Sequence, residues 1–108
     1  MRNLKELNKL ERYLREKGIR YERIDQDEQA LDAEHPYCIL KFERHQVCVP
    51  CEGEGREWDV ICHKGSYGAD EGLLEIMGSI VTKNVGDTVE GWLTAEDVIE
   101  RIERYRED

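Results

Sequence analysis

Four cysteines carry the sharpest chemistry in the chain. Cys48-Val-Pro-Cys51 sets two thiols at the Cys-x-x-Cys spacing, where two thiolates can bite one tetrahedral zinc ion at Zn–S distances near 2.3 Å. Cys38 and Cys62 are the expected partners in a structural zinc shell, with His63 or His45 as substitutes. Two other readings stand beside zinc. Free cysteine is among the most buried residue types, so all four suit small core positions. A redox pair is the third reading, but such motifs usually need a helix N-terminus to depress a thiol pKa, and Glu52-Gly-Glu-Gly55 supplies none.

Local patterning decides which cysteines can meet. Tyr37–Glu43 and Gln46–Pro50 read as a hairpin turning at Arg44-His45. In that register Cys38 lies opposite Cys51, Leu40, Phe42, Val47 and Val49 share the buried face, and Cys48 points away. Arg-His is a poor pair for a two-residue turn, which weakens this register. In the next run Trp58, Val60 and Cys62 share a face and His63 takes the other, so Cys62 is favoured over His63 beside Cys38 and Cys51.

Gly65-Ser-Tyr-Gly68-Ala-Asp-Glu-Gly72 is the second chemical candidate, because glycine-rich loops before helices cradle phosphate through backbone N–H groups. Asp70 and Glu71 stand where an anion would sit, and neither the Walker nor the dinucleotide spacing is present. Asp70 as a helix N-cap is the more economical account. Asp25, Asp27, Glu28, Asp32 and Glu34 lack the EF-hand pattern and read as a solvated acidic loop. His35, His45 and His63 are too scattered to imply an acid–base site. With no nucleophile, base and stabiliser at a recognisable spacing, the chain reads as a non-enzyme.

Charge points to a partner class. Residues 1–24 carry eight Lys/Arg against four Glu, whereas residues 25–108 carry eight basic residues against 21 acids, for a net charge of −9. So acidic a body repels nucleic acid and attracts basic protein surfaces. Three acidic segments are candidate contact surfaces: Asp25, Asp27, Glu28, Asp32 and Glu34; Glu52, Glu54 and Glu57; and Glu96, Glu100 and Glu103. The basic residues of the first segment are expected on a solvated helix face, or neutralising acids of a neighbouring copy in a homo-oligomer.

The elements that must position these residues follow from periodicity. Leu4, Leu7, Leu10 and Leu14 form a helical stripe stopped by Gly18. Ile19–Arg23 alternates as a strand, and Asp25–His35 reads as a loop or frayed turn. Trp58–His63 is another strand. Leu73, Leu74, Ile76 and Met77 suggest a short helix closed by Gly78, Asn84–Thr88 a turn, and Val89–Leu93 a short strand. Thr94 and Asp97 resemble a capping box ahead of a final helix with Val98, Ile99, Ile102 and Tyr105 as its stripe. Residues 1–108 are thus expected to form one α+β domain. It would be a small antiparallel sheet of about four strands, with an N-terminal helix and two C-terminal helices packed on it. At 38% charged residues, against about 25% on average, its core is thin. No run approaches the roughly 20 apolar residues of a membrane span, and a cytoplasmic location with reduced thiols is expected.

Three stretches, Trp58-Asp-Val-Ile-Cys-His-Lys-Gly-Ser-Tyr-Gly68, Gly72-Leu-Leu-Glu-Ile-Met-Gly78 and Asp87–Ile102, resemble a group of small uncharacterised phage and prophage accessory proteins of Gram-positive bacteria. Cys62 falls inside the resemblance, and Cys38, Cys48 and Cys51 lie outside it. The resemblance implies a phage-encoded protein acting in the host cytoplasm, and no catalytic residue is carried over. By analogy of size, charge and origin with anti-CRISPR proteins, the expected function is inhibition of a defence nuclease, a Cas9-like type II CRISPR effector, by blocking nucleic-acid access. A sponge for a small molecule or nucleotide signal and a structural phage accessory protein are the alternatives.

Overall fold

Leu7, Leu10 and Leu14 lie three and four residues apart, and all three are fully buried on the inner stripe of α1 (Lys5–Glu16). Past its end Gly18 takes φ +69°, a left-handed conformation that glycine adopts without steric cost. A computed structural model describes residues 2–32, 35–81 and 89–107, with backbone alone for 30–32 and 35–40. After α1 come β1 (Glu22–Gln26), β2 (Gln29–Asp32), β3 (His35–Lys41), β4 (Arg44–Val49), β5 (Trp58–Ile61), β6 (Leu74–Gly78), β7 (Val89–Leu93) and α2 (Ala95–Glu107).

The α+β class holds, with a larger sheet than expected. Five antiparallel strands run in the order β1-β4-β5-β6-β7, while β2 and β3 pair only with each other in a separate two-stranded ribbon. Val47, Val60 and Ile76 lie in register across the three central strands. With Val49, Trp58, Leu74 and Leu93 they meet the leucines of α1 and Val98 and Ile102 of α2 in one core. Both helices therefore cover one face of the sheet, as the charge-rich composition allows for a single thin core.

The expected hairpin across Arg44-His45 does not form. Both residues lie inside β4, which is flanked by β1 and β5, and Val47 faces Arg23 and Val60 rather than Phe42. A central position buries every β4 residue from His45 to Val49, and a hairpin edge built on an unfavourable turn pair offers less. The first strand is shifted to Glu22–Gln26, and the acidic stretch after it enters the β2–β3 ribbon.

The helix expected over Leu73–Met77 is strand β6. Leu74 and Ile76 are fully buried, whereas Glu75 and Met77 point to the other face, a period of two that also fits pairing on both sides. Only one C-terminal helix follows. A 3-10 turn at Ala69–Glu71 precedes β6, and its N-cap is Gly68 at φ +96°, not Asp70. The expected turn at residues 84–88 lies outside the described residues.

At α2 the capping box is present. Thr94 N–H donates to Asp97 Oδ2 at 3.0 Å, and Asp97 N–H donates to Thr94 Oγ1 at 3.2 Å. Glu6 of α1 adds a cap in trans, its Oε1 accepting from Ala95 N–H at 2.8 Å. Tyr105 departs from the expected stripe and is 39% exposed. No helix among the described residues is long and apolar enough to cross a membrane.

Candidate partner-binding surface

Pairing of β1 with β4 sets Asp25 beside His45, next to the N-terminus of α1. His45 is almost fully buried, and its Nδ1 lies 2.8 Å from Asp25 Oδ1. Facing an ionised carboxylate, Nδ1 carries the proton. The Asp25 carboxyl is held below its ordinary range: burial pushes it up, but His45 and Arg23 together outweigh burial. Glu43 is held low by Arg2, which grips it with two bonds of 2.7 and 2.9 Å; Lys64 N–H adds a third at 3.2 Å.

These groups border an open cleft of about 670 Å³ lined by Arg2, Leu4, Asn8, Asp27, Glu28, Glu43 and His45. Glu28 meets Lys64 at 3.3 Å, and Asp27 is exposed at the rim. Of the expected acidic loop, Asp25 thus serves the fold, while Asp27 and Glu28 face a cleft sized for a side chain or short loop. The side chain of Asp32 and all of Glu34 lie outside the described residues.

The other expected acids form separate patches. Glu52 pairs with Arg44 at 2.8 Å, and Glu54 and Glu57 are exposed on the β4–β5 connection. Glu96 meets Lys9 at 3.1 Å, Glu100 meets Arg104 at 2.7 Å, and Glu103 accepts from the Tyr13 hydroxyl at 3.3 Å. Several basic residues of the first segment meet acids of the body within the same chain: Arg2 with Glu43, Lys9 with Glu96 and Arg23 with Asp25. The sequence's charge split is in this way partly closed by the fold.

The cysteines separate across the sheet. Cys62 belongs to the core beneath the helices, and its thiol points to the Asn3 carbonyl at 3.7 Å. Cys48 alternates with Val47 and Val49 onto the opposite face, fully buried, with Arg56 Nη1 3.6 Å from its sulfur. Cys51 lies on the β4–β5 connection, its sulfur 3.6 Å from the Glu54 carbonyl. Burial pushes the Cys48 and Cys62 thiols up. The Cys38 side chain lies outside the described residues. Among the described residues no group of three His, Cys, Asp or Glu side chains is placed to hold a metal ion. The zinc reading rests on the Cys-x-x-Cys spacing.

Two relationships escaped the sequence reading. His45 and His63, 18 residues apart, meet through a bond of 3.2 Å from His45 N–H to His63 Nδ1, because the start of β4 lies against the chain leaving β5. Tyr67 and Trp92 stack with ring centroids 5.0 Å apart. Gly68 and Gly91, each adjacent to one of these aromatics, were the available signal for that close approach. No family model matches the chain, and no curated protein or solved structure does so either.

Proposed function

We propose that this chain is a non-enzymatic binding protein that docks onto a basic protein surface, and that its target is a bacterial defence nuclease of the type II CRISPR class. The reading is supported by the charge distribution together with the resemblance to phage accessory proteins. The single observation that carries it is the acid-rimmed cleft of about 670 Å³, where Asp27 and Glu28 face solvent beside the ion-paired Glu43. A basic loop of the nucleic-acid channel would enter this cleft, and occupancy of the channel would exclude guide or target. Complementary charge would raise the association rate and make binding weaken with salt.

The test is inhibition of purified type II effector nucleases by wild-type protein and by an Asp27→Asn/Glu28→Gln variant. Both changes lie at exposed positions, so the fold is retained. The reading predicts at least a tenfold rise in the concentration needed for half inhibition, and weaker inhibition at higher salt. Equal inhibition by both proteins would remove the cleft from the mechanism. Absence of inhibition across the panel would remove the target class.

A further inference from the structure

The face of the sheet opposite the helices carries an exposed aromatic pair that the core does not use. Tyr67 and Trp92 stack at 5.0 Å and 24°, yet remain 50% and 57% exposed. Each ring covers one face of the other, so the exposure lies on the outer faces and edges. Met77, also on the helix-free face, is 45% exposed.

The pair is built into place by the backbone. Tyr67 N–H donates to Glu75 Oε1 at 3.0 Å, and Tyr67 C=O accepts from Trp92 N–H at 3.2 Å. Glycines clear the approach. A Cβ at Gly91 would lie 2.3 Å from Tyr67 Cβ, and one at Gly68 would lie 3.0 Å from Trp92 Cα. The β6–β7 register shifts between Leu74 and Ile76, which puts an extra residue on β7 and re-aims the chain there.

Trp92 adopts φ +56°, the sole non-glycine residue at positive φ among those described. A bulky residue there costs about 1–3 kcal/mol, and glycine or asparagine would relieve it. Core packing does not explain the choice, because the ring is mostly exposed. The strained position holds an indole that the fold itself leaves in water.

We propose that Tyr67 and Trp92 form the docking point for an arginine side chain of a basic protein partner. The proposal deepens the reading above and rests on its basic partner. Charge selects the occupant. The chain carries −9, the Glu75 carboxylate bonds the Tyr67 backbone, and Asp70 and Glu71 are exposed in the adjoining turn. That field repels phosphate-bearing bases, the other ligands that stack on aromatic platforms. A guanidinium is planar, weakly hydrated and attracted by the indole quadrupole, so it fits better than an ammonium. Trp, Tyr and Arg are also the residues that dominate interface energetics.

The test follows the Trp92 indole N–H resonance of the full-length chain by NMR while an amidated (Gly-Arg)3 peptide is added. The lysine and glutamate counterparts and an oligothymidine are run in parallel. Saturable shifts with the arginine peptide, at least threefold weaker affinity for the lysine peptide, and no response to the others support the docking point. A comparable response to the glutamate peptide or oligothymidine overturns it. In Trp92→Gly, which keeps the backbone conformation, arginine-peptide affinity measured by calorimetry should fall at least threefold; unchanged affinity overturns the proposal. Nuclease inhibition separates the two readings. Equal inhibition by wild type and Trp92→Gly overturns the docking point and leaves the nuclease target standing. Arginine-peptide binding without inhibition of any nuclease overturns that target and leaves the docking point.

Discussion

Glu90 on β7 and Arg101 on α2 clasp across the sheet–helix interface. Arg101 Nη2 lies 2.6 Å from Glu90 Oε2, Nε contacts both carboxylate oxygens at 3.0 and 3.1 Å, and Nη1 donates to the Asp97 carbonyl at 2.8 Å. The Glu90 side chain is only 5% exposed and that of Arg101 19%. The pair ties the last strand to the last helix beside the shared core of Leu93, Val98 and Ile102.

Removing one partner of so buried a pair strands the other charge. Arg101→Ala should cost about 3 kcal/mol in urea unfolding, and the double change Glu90→Leu/Arg101→Met should recover most of that loss. A double-mutant cycle showing no coupling would remove the clasp from the stability of α2.

Two glycines at positive φ should respond differently to alanine. At Gly78, φ +103°, a Cβ would lie 2.5 Å from the Glu57 carbonyl oxygen and 2.8 Å from Trp58 Cα. Gly78→Ala should therefore cost about 3 kcal/mol, combining backbone strain with a clash against main chain. Gly53, φ +88°, has nothing within 4 Å, and Gly53→Ala should cost about 1 kcal/mol. Equal melting temperatures for the two variants would contradict the packing at β5–β6.

Trp92→Gly gives up stacking worth about 0.5–1.5 kcal/mol and relieves strain of about 1–3 kcal/mol. Its stability should equal or exceed that of the wild type. A loss above about 1 kcal/mol in thermal unfolding would mean the indole serves the fold.

Acid should lower stability in two stages. Burial lowers the His63 pKa from its ordinary 6.5, so the unfolded chain takes up this proton first and stability falls as pH drops below about 6.5. Arg2 lowers Glu43 from 4.5, and His45 with Arg23 lower Asp25 from 3.8 despite its partial desolvation. Their contributions are complete above those ordinary values and are lost as pH falls through the lowered ones. His63→Gln should flatten the upper stage and Arg2→Ala should reduce the lower one. A pH–stability curve unaltered by either change would contradict both assignments.

Thiol labelling should be graded. In a Cys38→Ser background, Cys51 should react with a thiol reagent in the native state, while Cys48 and Cys62, fully buried with raised pKa values, react only on unfolding. Stoichiometric zinc that shields Cys51 in the full four-cysteine chain would favour a metal role for the Cys-x-x-Cys pair.

Both helices were legible before any coordinates, because the leucines of α1 and the Thr94/Asp97 box of α2 are local signals on a 3.6-residue period. The bounds of β7 were legible too, Val89–Leu93 being read as a short strand. Leu73–Met77 misled because four apolar residues in five fit a short helix as well as a buried strand; partners on both sides decide. The candidate site was legible only as composition. Acids were visible at Asp25, Asp27 and Glu28, but not that Asp25 serves His45 while Asp27 and Glu28 rim a cleft.

The sequence by itself determined the charge split, the amphipathic stripe of α1 and the cap of α2, since each depends on residues within a few positions of one another. Tertiary structure alone decided which neighbours flank β4, which arginines meet which acids, and that Tyr67 and Trp92, 25 positions apart, share one stack. Strand order is chosen by the sum of many weak contacts between distant segments. Periodicity reports which face of a strand is buried, and it carries no record of what lies against that face.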